Sequence, residues 1–361
     1  MRFPRSWALA LVAVGALVAC GPGAAPAGAP SQAPNAGGRP AAPTAGGAAP
    51  AVAPTAAPAT PVALQKITVT YPGEGLCCLP IFAARDRGFF ARNGLDAETV
   101  LMTSDRAMAA VASGELHYVG GVGTASVAAA ALGLPVRAAW ISASSPAYTI
   151  YARPDIKTPD QLRGTRMGVQ GLGGTTAVVT DLALKHYGID ATKDLILLQI
   201  PGDDLRLESL RSGAIDAAAF NPPQTLTARR EGYTPLVDVA ALVQMPLGGL
   251  SISLEKLNND RDQARRVIRA LDQAQQWFLQ NRDEGVQMIM DALAVDRPTA
   301  EGTYDETVPT YQTKGLVGRE GIDNILTAVR EGGRVGPDVR FEDVADGSLA
   351  EEVARELGLI Q

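Results

Sequence analysis

From residue 66 the chain alternates short apolar runs with longer segments whose apolar residues recur at helical spacing. The β-branched run Lys66-Ile67-Thr68-Val69-Thr70-Tyr71 predicts a strand. Ile81, Phe82, Ala84, Arg85 and Phe89 predict a helix over 79–93, stopped at Gly94. A strand follows over 97–102. Next comes a helix over 106–113, with Ser104 or Asp105 as its N-cap and Gly114 as its stop. A strand over 118–122 and a helix over 124–132, ending at Gly133, complete a first unit.

A second unit repeats this order. Strands are predicted over 166–170, 195–200 and 217–220, with helices over 176–187 and 204–212 that stop at Gly188 and Gly213. Two short motifs tie the units together. Asn93-Gly94-Leu95-Asp96-Ala97 matches Tyr187-Gly188-Ile189-Asp190-Ala191, and Ala112-Ser113-Gly114-Glu115-Leu116 matches Arg211-Ser212-Gly213-Ala214-Ile215. Their offsets, 94 and 99 residues, are too long for a solenoid and imply two lobes of like topology. Alternating strands and helices give α/β lobes with mainly parallel sheets flanked by helices. Beyond Gly232 the pattern predicts strands over 235–237 and 250–254, then helices over 262–280, 284–294 and 321–331. Val267, Ile268, Leu271, Ala274 and Phe278 form an apolar stripe that needs a core to cover it, and the first lobe is the simplest partner.

The N-terminal stretch has a different pattern. Arg2 and Arg5 precede a short apolar run that ends in Leu17-Val18-Ala19-Cys20. This is the layout of a secretory signal over 1–19, too short for a membrane span of roughly 20 apolar residues. The Cys after Leu-Val-Ala resembles a bacterial lipobox, which makes Cys20 a lipidation site and the expected mature N-terminus. Residues 20–63 are almost wholly Ala, Pro, Gly, Thr and Ser, a composition that extends and does not pack. The expected location is the periplasm or cell surface, with membrane contact through the lipid alone.

Composition narrows the chemistry. The full chain carries a net charge of −6 and no basic block, which argues against nucleic acid. Three Cys and two His, His117 and His186, fall in no metal-type spacing, so no metal or cofactor is expected. No catalytic residue is assigned, because no nucleophile–base pair stands out.

The candidate site is the set of loops at the carboxyl ends of the strands, where open α/β sheets bind ligands. In the first lobe these loops offer Gly75, Leu76 and Cys77, then Arg106, then Gly123 and Thr124. In the second they offer Thr175, Thr176 and Asn221. Thr175 and Thr176 follow Gly173-Gly174 at a helix start and either meet a ligand acceptor or cap the helix. The 171–176 turn lacks the Lys of a phosphate-binding loop, so nucleotide hydrolysis is not expected. Cys77-Cys78 reads as two small buried residues or as a vicinal disulfide.

With these residues in hand, the body resembles the solute-binding proteins of ABC importers for sulfonates, taurine, nitrate or thiamine-pyrimidine precursors. The resemblance runs through LPIFAARDRGFFARNGLDAETV (79–100), ASGELHYVGGVGTASVAAAALGLPVRAAW (112–140), TPDQLRGTRMGVQGLGGTTAVVTDLALKHYGI (158–189) and RSGAIDAAAFNPPQTLTARREG (211–232). It implies a two-lobed periplasmic-binding-protein fold of type II, with the ligand cleft between the lobes. Lobe one would be 64–147 with 247–361, and lobe two 148–246, with crossings near 145–147 and 244–248. It also implies a monomer that captures a small molecule by hinge closure and passes it to an ABC permease in the membrane. The first loop departs from the Asn-x-x-His pattern of the pyrimidine-precursor branch, reading Gly73-Glu74-Gly75-Leu76-Cys77 instead. Two alternatives stay open: an enzyme of the same fold acting on a pyrimidine-like or other small substrate, and a ligand-sensing module feeding a membrane receptor.

Overall fold

The computed structural model describes residues 63–73, 75–311 and 314–361. The signal, the spacer and Cys20 lie outside the described residues, as does Glu74.

Two five-stranded sheets organise the body. The first contains β1 (Gln65–Tyr71), β2 (Leu95–Leu101), β3 (Tyr118–Gly120) and β4 (Val136–Ile141). The second contains β5 (Thr149–Ala152), β6 (Arg166–Val169), β7 (Ile196–Gln199), β8 (Ala217–Phe220) and β9 (Thr234–Asp238), after which β10 (Gly249–Ser253) returns to the first. Their orders are β2-β1-β3-β10-β4 and β7-β6-β8-β5-β9. In the first, β10 runs antiparallel to both neighbours while β1, β2 and β3 are parallel. In the second, β5 is the antiparallel strand and β6, β7 and β8 are parallel. Each sheet is therefore mixed, and the two repeat one plan. Both units re-enter a sheet after a left-handed glycine, Gly114 (φ 80°) before β3 and Gly213 (φ 72°) before β8.

The chain passes between the sheets through residues 142–148 and returns through 239–248. These passages hydrogen-bond to each other, Met245 N–H to Ser144 C=O at 2.9 Å and Leu247 N–H to Ala143 C=O at 3.1 Å. A third segment joins them, with Ser144 N–H donating to Thr310 C=O at 3.1 Å. Gly248 (φ 95°) sits where the return passage meets the first loop. A Cβ there would fall 2.6 Å from the Cys77 carbonyl oxygen and 2.5 Å from Ser142 Oγ.

The apolar stripe of the long helix Arg261–Gln280 is fully buried at Val267, Ile268, Leu271, Ala274 and Phe278. That helix packs on the Leu79–Asp86 helix of the first lobe, and the C-terminal helix Ser348–Glu356 packs on it in turn. The same helix buries a carboxyl. Asp272 accepts from Trp140 Nε1 at 2.8 Å, while its Oδ2 has no hydrogen-bond partner. Burial pushes its pKa up to about 7, against the smaller lowering effect of the Trp140 bond.

Several elements differ from expectation. The helix expected over 79–93 is two, Leu79–Asp86 and Phe89–Arg92, because Gly88 between them adopts φ 71°. Strands β4 and β5 and the helices Leu254–Asn259, Arg297–Thr307 and Ser348–Glu356 were not expected. Arg297–Thr307 lacks an apolar stripe; its buried face is Thr299, Ala300, Thr303, Tyr304 and Thr307. It packs on the Gln224–Arg230 helix of the second lobe, so the tail reaches both lobes and not the first alone. Among the described residues no helix is long and apolar enough to cross a membrane.

Candidate functional site

A cavity of about 110 Å³ lies where the crossing passages meet the strand ends. The loop after β1 contributes Gly75, Leu76 and Cys77. The passages contribute Ala143, Ser145, Ala147, Tyr148 and Leu247. Asn221 enters from the end of β8, and the tail adds Thr307, Thr310 and Tyr311. Four of the sequence-level candidates, Gly75, Leu76, Cys77 and Asn221, therefore share one wall-bounded space. A larger open hollow, about 430 Å³, lies at the other end of the first sheet, among Lys66, Asp96, Glu115 and His117. It is at the amino ends of β1 and β3, away from the strand ends where such sheets bind ligands.

The polar groups around the cavity have distinct duties. Tyr311 Oη donates to Leu76 C=O at 2.6 Å, which ties the tail to the first loop. Thr310 Oγ1 donates to Thr307 C=O at 2.7 Å. Thr307 Oγ1 is buried and has no hydrogen-bond partner. Burial raises the Tyr148 phenol to about 12, with the Arg206 charge opposing that shift. Cys77 and Cys78 are free thiols with their sulfurs 3.3 Å apart. The bond from Cys78 lowers the pKa of Cys77, while that pairing and burial raise Cys78 well above the ordinary thiol value. Cys77 lines the cavity half-buried; Cys78 is fully buried beneath it.

The other candidates take three positions. Thr124 and Thr175 open the helices Thr124–Ala131 and Thr175–Lys185, and their hydroxyls meet across the cleft at 3.2 Å. A Cβ on Gly123 would lie 3.9 Å from the Thr175 hydroxyl, so this glycine stands at the same meeting point. Thr176 turns inward. Its hydroxyl accepts from Gln170 N–H at 2.7 Å and the residue is fully buried, so this side chain ties the turn to the end of β6. Arg106 is exposed on the Ser104–Ala112 helix and is not among the lining residues.

The lobes also touch outside the cavity. Thr225 Oγ1 donates to Glu306 Oε2 at 2.6 Å, Arg229 pairs with Glu306 at 2.9 Å, and Lys185 pairs with Glu331 at 3.1 Å. Sequence reasoning missed Thr307, Thr310, Leu247 and Ser145. Among the described residues no group of three or more His, Cys, Asp or Glu is placed to hold a metal ion.

A family profile described as NMT1/THI5 like matches residues 78–285. A Bacillus subtilis (strain 168) binding protein, YtlA, is 22% identical over 315 residues, covering 81% of this chain and 91% of that protein. Among solved structures, the periplasmic aliphatic sulphonate binding protein SsuA from Escherichia coli superposes with a TM-score of 0.65 at 17% identity. That match covers 79% of this chain and 92% of SsuA. The desulfurization enzyme DSZB also shares the fold, with a TM-score of 0.57 at 14% identity over 81% of this chain and 99% of the enzyme. The fold is thus the two-lobed periplasmic-binding-protein fold.

Proposed function

The chain belongs to the NMT1/THI5-like family, and from that premise we propose that it is an extracytoplasmic solute-binding protein. It captures a small molecule between its lobes by hinge closure and delivers it to an ABC import permease. The observation that carries this reading is the cavity at the crossing passages, walled by both lobes and by both passages. A ligand there touches every segment that must move when the lobes part, so it favours the closed arrangement by its differential affinity. The moving bodies are taken as 64–147 with 247–361 and 148–246. The names of YtlA and SsuA as binding proteins support the same role.

A thermal-shift screen of sulfonates, amides, pyrimidines and amines tests the reading. A solute at a hundredfold excess over its dissociation constant should stabilise the chain by about 2.7 kcal/mol. Small-angle scattering should then show a smaller radius of gyration with that solute than without it. A tight binder that leaves the radius unchanged counts against closure.

The proposal includes a lipid anchor at Cys20, from the lipobox-like Leu17-Val18-Ala19-Cys20. Cys20→Ser should abolish lipid labelling and release the chain from the membrane fraction. Labelling that persists in this variant removes the anchor from the account.

A second reading, an enzyme of this fold, has one observation behind it: the cavity-lining thiol of Cys77 with its lowered pKa. Recovery of the bound solute chemically unchanged supports capture. Turnover that is lost in Cys77→Ser supports the enzyme.

A further inference from the structure

We infer that the solute is a small uncharged molecule and that Thr307 is the residue that selects it. This rests on the solute-binding reading and narrows it. Three features of the cavity carry it.

The first is size. A cavity of about 110 Å³ is smaller than the roughly 150 Å³ apolar cavity known to take benzene. With the lobes meeting as they do here, it holds a handful of non-hydrogen atoms.

The second is charge. No described lining residue carries a charged side chain. The Tyr148 phenol stays neutral at ordinary pH because burial holds it at about 12. The cation whose charge reaches Tyr148 is Arg206, which is not among the lining residues. Its guanidinium pairs with Asp203 and donates to Ile200 C=O at 3.0 Å. An ion enclosed by such a wall loses its hydration without gaining a counter-charge, a penalty of several kcal/mol. An uncharged solute avoids it.

The third is an unmet hydrogen bond. Thr310 and Tyr311 have their hydroxyls bonded to backbone carbonyls. The Thr307 residue is only 2% exposed, yet its hydroxyl has no partner. A buried hydroxyl without a partner is costly, and native structures rarely leave one. Thr307 is a lining residue of the cavity, so a solute that brings an acceptor or donor to it would satisfy the hydroxyl. The Asn221 side chain, across the cavity on the second lobe, offers a second polar contact.

The test uses near-isosteric pairs that differ in charge, dimethyl sulfone against methanesulfonate and acetamide against acetate, titrated into the full chain by calorimetry. At least one neutral member should bind, and its charged twin should bind at least tenfold more weakly. Thr307→Val should weaken that neutral probe by about five- to tenfold, the size of one lost hydrogen bond. Thr307→Ser keeps the hydroxyl and should retain most of the affinity, which separates recognition from any folding defect. Tighter binding of either anion overturns the inference and leaves solute binding intact. So does equal affinity in Thr307→Val, and so does failure of both neutral probes while the wider screen finds a charged ligand. Failure of every compound in both panels overturns the inference and the solute-binding reading together.

Discussion

Asp272→Asn is expected to remove up to about 4 kcal/mol of pH-dependent stability between about pH 4 and pH 7.5. In the native chain burial holds the Asp272 carboxyl protonated to about pH 7. The unfolded chain releases that proton near pH 4. Between those values unfolding sheds a proton, so the contribution of this group is full below about pH 4 and is lost as pH rises through 7. The asparagine side chain of the variant keeps an acceptor for Trp140 Nε1 and cannot ionise. Urea unfolding of both chains across this range should give curves that diverge with rising pH, the parent falling relative to the variant. Parallel curves would show that Asp272 ionises normally in the folded state. Asp216 works in the opposite sense and in a separate window. The Arg166 guanidinium bonded to it lowers its pKa to about 2, so its contribution is present above about pH 4 and fades only in stronger acid.

Gly248→Ala should lower stability by about 3 kcal/mol or more and abolish the solute-induced thermal shift. Gly248 adopts φ 95°, and its missing side chain leaves room for the Cys77 carbonyl at 2.6 Å and Ser142 Oγ at 2.5 Å. A methyl group there pushes the first loop and the return passage apart, and both line the cavity through Cys77 and Leu247. Gly133→Ala separates the two causes of loss. Gly133 has nearly the same φ, 94°, but nothing within 4 Å of an added Cβ. That variant should show backbone strain alone, about 1–2 kcal/mol. Equal losses in the two variants, with the thermal shift retained in Gly248→Ala, would mean that the contact at Cys77 relaxes freely.

The repeated plan of the sheets was legible because its signals are local. Left-handed glycines end the helices, and short apolar strands begin a few residues after them, as at Gly114 and Gly213. Strand β4 was hidden because it is short and follows the break at Gly133-Leu134-Pro135 with Arg137 inside it, which gives no clean strand pattern. Asp272 was hidden inside a helix whose apolar stripe already explained it. Loops at the strand ends were readable as loops, and Gly75, Leu76, Cys77 and Asn221 of those loops line the cavity. The tail residues Thr307, Thr310 and Tyr311 were not readable. The helix that ends at Thr307 presents threonines inward, and only the tertiary path brings the segment after it beside the first loop through the Tyr311–Leu76 bond.

Glu306 and Thr307 are consecutive residues with separate tasks. Glu306 is held by Thr225 and Arg229 of the second lobe, and the Arg229 side chain is 58% exposed. Thr307 faces the enclosed space behind it. Glu306 itself is only 25% exposed, so ions in solution screen its pair with Arg229 in part, while they scarcely reach a buried hydroxyl. Under the proposed capture by closure, the time a solute stays inside would be tunable in part by ionic strength, or by drift at residues 225 and 229. The proposed selector, Thr307, stands one residue away, in a place that salt scarcely reaches. Dwell time and discrimination can diverge between descendants of this chain without either change undoing the other.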